Sequence, residues 1–371
     1  MGQKLHESLS MTIAACDLQY VAGSIISAKG HPRLWPMSQW AVMVTYELQQ
    51  SLRDASPKLS WDPVIAEAAR HGGKFFDGKG DRNLTAVMSS FEALIAANRE
   101  TFFPATRRFK VLDRLRDDLS VITDGDEVLL TSVGGQFMLG FPPSQLVDFS
   151  AWGPHALTLM RGVGQATGLA FPDRRLEEFA GHGNHSETSV TWWDGKLSEV
   201  IPTTFAGELS TELALSLITI HSTVQAAYKW TSTDCCPWCA AAALKHRFVV
   251  LHHAARSVEQ LQSRTNQIGG RSAEYLDALW AEPDVKLVTT LPYRRLRNGW
   301  FHLGIGDIEA QLPAKPDVLN VIEAYTQQAT EPFVRLVNDG LATLARGLGL
   351  WMGASASGGE SMFDRLRKVR V

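Results

Sequence analysis

From about residue 205 onward, apolar residues recur at helical intervals, and this constrains the fold more than any other feature of the chain. Leu213, Leu217, Ile220, Val224 and Ala227 mark one amphipathic face. Leu244, Phe248, Leu251, Ala255, Val258 and Gln262 mark a second, on a helix expected from about Ala240 to Gln262. A short helix is expected near Ala273–Trp280. The next holds the segment from Arg297 to His302, with Thr290 as cap and Pro292 in its first turn. A last stretch runs from Pro316 towards Leu348 and should bend at Pro332. Helices of this length joined by short connections pack as a bundle.

The first 204 residues mix two periodicities. Helical spacing appears in Ala41–Leu52, Pro63–His71, Leu84–Ala97, Phe109–Leu119, His155–Thr167 and Pro172–Ala180. Two β-prone runs flank Gly134-Gly135 within Glu127–Phe141, and two more flank Asp194-Gly195 within Ser189–Ile201. Each reads as a hairpin. The expected organisation is an α+β region at 1–204, an all-α bundle at 205–350, and a flexible tail at 351–371 that ends basic.

Charge excludes one class of partner contact. Net charge is −3 over 371 residues, so nucleic acid can be held only by a local basic patch. No apolar run of spanning length is read from the sequence, so no membrane segment is expected. Four cysteines in a chain this long argue against a disulfide framework and for a reducing, cytoplasmic setting.

The densest chemistry lies in Arg297-Asn298-Gly299-Trp300-Phe301-His302. An imidazole moves protons near neutral pH. A guanidinium holds phosphate oxygens through paired donors and stabilises charge that develops on them. An amide can orient either group. Arg247 also precedes His252 and His253 at five and six residues, but Phe248 follows it and the run is apolar, which reads as a buried helix. Arg295 lies seven before His302 and lacks the amide.

In "LRNGWFHLGI" the chain resembles the HEPN superfamily, whose ribonuclease members carry Arg, four to six residues, then His, often with Asn directly after the Arg. The resemblance covers roughly residues 205–350 and implies a small helical bundle. It further implies RNA cleavage without a metal or other cofactor, through attack of the 2′-hydroxyl on the adjacent phosphate. His302 would be base or acid, Arg297 would hold the phosphate and Asn298 would orient them. Arg294 and Arg295, with Lys245 or Arg247, would guide the RNA backbone. The implied setting is a toxin or antiviral-defence effector, with residues 1–204 sensing a trigger and an antitoxin as a possible partner. On a straight helix Arg297 and His302 stand about 140° apart, so a homodimer that pairs two motifs across a two-fold axis is expected. Trp300 and Phe301 would suit that interface. They would equally suit a non-catalytic helical dimerisation or binding module.

A second cluster is Cys235-Cys236-Pro237-Trp238-Cys239. Cys236 and Cys239 have the spacing of a redox pair or half a zinc site, and His246 could complete a Cys3His set. The motif follows a helix end rather than a strand, so small apolar cysteines at a helix start are the expectation and no metal is assigned. His182 and His185, in a Gly-rich loop, read as polar loop residues.

Overall fold

The computed structural model describes residues 9–28, 35–53, 62–69, 81–104, 116–124, 127–146, 152–179, 190–229, 237–264, 268–313 and 316–353. Its helices before residue 205 are α1 (Leu9–Ala28), α2 (Trp35–Arg53), α3 (63–69), α4 (Asp81–Phe102), α5 (Ser132–Met138), α6 (Trp152–Ala170) and α7 (Leu197–Val200). After it come α8 (Thr211–Lys229), α9 (Pro237–Gln262), α10 (Gly270–Ala281), α11 (Pro283–Val288), α12 (Leu291–Phe301), α13 (Asn320–Thr326) and α14 (Thr330–Met352). Strands β1 (Leu119–Asp124), β2 (Glu127–Thr131) and β3 (Val190–Gly195) form one antiparallel sheet in the order β2-β1-β3. Among the described residues the sheet is confined to the first 204 positions and the remainder is helical.

Helix α8 is the axis of the molecule. Every residue from Leu213 to Ala227 is buried, the signature of a helix surrounded by protein on all sides. Its hydroxyls cannot reach water, so they return to their own helix. Ser216, Thr219, Ser222 and Thr223 donate to the carbonyls of Glu212, Leu215, Ile218 and Thr219 at 2.7–2.9 Å. Helix α14 packs along α8 and α9, where Gly340 sits so close to Leu251 that a Cβ would lie 2.9 Å from its Cδ2. One apolar core runs from Ile13 of α1 to Met352 of α14 and therefore crosses position 205.

Both expected hairpins are corrected. Gly134 and Gly135 belong to α5, not to a turn. Thr131 Oγ1 accepts from Gly134 N at 3.0 Å and starts that helix. A Cβ on Gly134 would meet Thr219 Oγ1 at 2.7 Å, so this glycine serves the contact with α8. Asp194-Gly195 likewise ends β3 ahead of α7, whose first amide, Leu197 N, donates to Asp118 Oδ1 at 2.7 Å. The true central strand is β1, part of which had been assigned to a helix ending at Leu119. Its β-branched run Val121-Ile122-Thr123 pairs with β2 on one side and with β3 on the other.

Three further expectations change. Among the described residues of Pro172–Ala180 the helical structure is one 3₁₀ turn, Leu176–Phe179. The last helical stretch is two helices, parted where Gln327 takes a left-handed conformation (φ 57°). Pro332 therefore sits in the first turn of α14, where its missing N–H costs nothing, instead of bending a longer helix. Thr290 does cap α12 by position, yet its hydroxyl donates backwards to Leu287 O at 2.7 Å. Trp351 and Met352 remain in α14 and in the core, while residues 354–371 lie outside the described residues.

Helix α1 contains Leu9–Ser27, a segment whose length and mean hydropathy of 1.3 would suffice to cross a membrane. This departs from the sequence reading. Within the fold the helix packs on α9, and its central Asp17 is buried against Lys245, as suits a core helix.

Candidate functional site

The site begins with how α12 ends. Trp300 and Phe301 are buried in the molecule's own core, against Phe333 and Trp40. They supply no exposed aromatic interface, contrary to one ground for expecting a dimer. The helix stops at Phe301, and His302 takes the cap position with φ −83° and ψ 10°. Leu303 then turns left-handed (φ 57°), and its carbonyl accepts from Ser10 Oγ of α1 at 2.8 Å. His302 thus leaves the helical path at the point where Arg297 can reach it.

Arg297 Nη1 lies 3.2 Å from His302 Nε2 and donates to Asn298 Oδ1 at 3.0 Å. All three motif residues converge within one chain. The rotation argument for a two-chain site therefore loses its force, because it assumed a helix continuing through His302. Gly299 lies within α12 and is buried. A Cβ there would lie 2.2 Å from Tyr325 Oη and 2.6 Å from its Cζ, so Gly299 admits α13 against α12.

Two residues that the sequence did not associate with the motif complete the cluster. His253 Nε2 accepts from Arg297 Nε at 3.1 Å. Its imidazole is held neutral, with a pKa well below the ordinary value, first by burial and then by the Arg297 charge. The second is Glu47 of α2, whose Oε1 stands 2.9 Å from His302 Nδ1. With a carboxylate at Nδ1 and a guanidinium at Nε2, the neutral tautomer that satisfies both carries its proton on Nδ1.

Exposure differs sharply between the partners. The His302 side chain is 44% exposed and Glu47 14%, whereas Arg297 is only 1% exposed. The Phe301 ring lies 5.3 Å beneath the Arg297 guanidinium carbon. Asn298 is exposed. The arrangement offers solvent an imidazole fixed by a carboxylate, with a rigid cation directly behind it.

The other cations are placed differently from expectation. Arg294 is exposed, and its Nε is engaged by Thr289 O at 2.9 Å. Arg295 is exposed but lies about 160° around α12 from Arg297, on the opposite side. Lys245 is buried in an ion pair with Asp17, beside the Trp40 ring, and cannot meet an RNA backbone. Burial raises the Asp17 pKa above its usual range even though Lys245 draws it back. Arg247 is buried as well, in agreement with the reading of its segment as a core helix.

Of the cysteine cluster, Cys235 and Cys236 lie outside the described residues. Cys239 is fully buried in the first turn of α9. His246 stacks on Trp40 at 4.7 Å, with Tyr20 Oη 3.4 Å from its Nδ1, and burial lowers its pKa to about 3. His182 and His185 are also outside the described residues. No protein-family model, curated protein or solved structure matches this chain.

Proposed function

We propose that the chain is an endoribonuclease of HEPN type that works without a metal, with Arg297 and His302 as its catalytic pair. The single observation that carries this reading is the 3.2 Å approach of Arg297 Nη1 to His302 Nε2, with Glu47 on the other imidazole nitrogen. In the proposed reaction, His302 Nε2 takes the proton of a ribose 2′-hydroxyl as its oxygen bonds to the adjacent phosphorus. The P–O5′ bond breaks with its electron pair on O5′, which takes a proton from water as the His302 imidazolium gives its proton back to solvent. The products are a 2′,3′-cyclic phosphate and a free 5′-hydroxyl. Glu47 holds the Nδ1–H tautomer and stabilises the imidazolium that forms. On this reading Arg297 Nη1 passes from His302 Nε2 to a phosphate oxygen when RNA binds, which frees the imidazole lone pair, while Asn298 keeps that nitrogen aimed.

RNA is the substrate in this reading, and DNA lacks the attacking hydroxyl. A two-fold dimer and a role in toxin or antiviral defence now rest on the sequence resemblance, and a cytoplasmic location rests on the low cysteine count. The near-complete burial of Arg297 favours a second reading, in which the cluster is a structural polar knot inside a non-catalytic binding module. Product analysis separates them. Incubation of the full chain with single-stranded and structured RNA in EDTA should give cyclic-phosphate termini. An RNA with 2′-deoxyribose at the cleaved position should stay intact. Cleavage of that substrate, or 3′-hydroxyl products, would overturn the mechanism.

A further inference from the structure

Helices α1, α2 and α6, with Leu139 after α5, line a half-open cavity of about 230 Å³. Its walls are almost wholly apolar and hold water poorly, so a space of this size asks for an occupant. A dry apolar cavity of about 150 Å³ accepts benzene. This one has room for a ring and a small substituent.

Its lining states the chemistry. Trp35, Trp40 and Met160 provide large apolar walls, and among the described lining residues none carries a charge. An ion would therefore enter without a partner, at high cost. Two hydroxyls reach the wall, from Ser24 and Ser38, and Ser38 Oγ is already committed to Trp35 O at 2.6 Å. The other polar groups of these side chains are Ser24 Oγ and the indole N–H groups of Trp35 and Trp40, and Trp40 is the more deeply buried of the two indoles. That side chain is 4% exposed, and its Nε1 has no hydrogen-bond partner among the described residues. A buried donor left unmade is destabilising until an acceptor arrives.

We propose that this cavity binds a small uncharged aromatic molecule bearing one hydrogen-bond acceptor. The ring lies against Trp35 and Trp40, and the acceptor takes the Trp40 Nε1–H. The site adjoins the Arg297–His302 cluster only through Trp40, whose ring packs on Phe301, and it does not depend on the nuclease reading.

The test is calorimetric titration of the full chain with acetophenone, a ring with one carbonyl, and with benzoate, of similar size but charged. Acetophenone should bind in the sub-millimolar range, and benzoate at least about tenfold more weakly. Ala156→Phe, at a half-buried position on α6, should fill the cavity and weaken acetophenone at least about tenfold. If that variant fails to fold by circular dichroism, Ala156→Leu decides, with a several-fold loss expected. Trp40→Phe should weaken acetophenone while leaving toluene, which has no acceptor, nearly unchanged. No acetophenone binding at millimolar concentration would overturn the proposal. So would equal binding of benzoate, or an affinity that neither folded Ala156 variant alters.

Discussion

Glu47 Oε1 and His302 Nδ1 stand 2.9 Å apart although 255 residues of chain separate them. The contact joins α2 to the end of α12 and fixes which imidazole nitrogen faces Arg297. It also makes the candidate site a product of both halves of the sequence.

Removing that carboxylate should therefore release the tautomer. In Glu47→Ala, nitrogen NMR of His302 should show the Nδ1–H form losing its dominance, and RNA cleavage should fall by at least about tenfold, the effect of ~1.4 kcal/mol in the barrier. Glu47→Gln keeps an acceptor without the charge and should fall between. An unchanged tautomer population in Glu47→Ala would show that the contact does not orient the ring.

Arg297 should matter for folding as well as for chemistry, because it is buried and its loss strands the buried acceptor on His253. Arg297→Ala should lower unfolding stability by about 2–4 kcal/mol in urea titration. Arg297→Lys should also destabilise, since an ammonium cannot reproduce the planar fork. His302→Ala, at an exposed position, should lie within about 1 kcal/mol of the wild type. Equal stability of all four proteins would remove Arg297 from the structural account.

Gly299→Ala should overpack the α12–α13 contact and cost about 1–3 kcal/mol. The added methyl would fall on the Tyr325 ring. The cost should shrink in a Tyr325→Ala background, and a double-mutant cycle reads this directly. Additive effects would place the strain elsewhere.

Acid should destabilise the fold through its buried histidines. Burial lowers His221 to about 4, and His246 and His252 to about 3, with nearby cations adding to the effect on His246 and His252. Each is neutral in the native chain, whereas the unfolded chain binds a proton near pH 6.5. Their contribution is thus complete above that value. It declines as pH falls towards about 4, by up to ~1.4 kcal/mol per pH unit for each histidine. Stability measured from pH 7.5 to 4.5 should fall steadily below about 6.5. His221→Gln should flatten the curve, and a flat wild-type profile would contradict the assignment.

What the sequence made legible follows from the range of each interaction. The helices after residue 205 announce themselves because a 3.6-residue stripe is local, and the Arg297–His302 pairing was visible as a spacing. The sheet was misread because β1 pairs with β3 across about 70 positions. The turn-forming pairs Gly134-Gly135 and Asp194-Gly195 serve close packing and strand ending instead. Glu47 gave no signal, being one acid in a helix otherwise rich in buried apolar residues. That His252 and His253 lie in a buried helix was legible, but not which of them meets the motif. Arg297 reaches His253 from another helix 44 positions away.

The most direct test of the central claim is RNA cleavage by the wild type and by folded His302→Ala in the presence of EDTA. The account predicts cleavage by the wild type and a 10²–10⁴-fold lower rate in the variant, the usual scale of lost acid–base help. Cleavage that His302→Ala leaves unchanged, or that requires added magnesium, would contradict it.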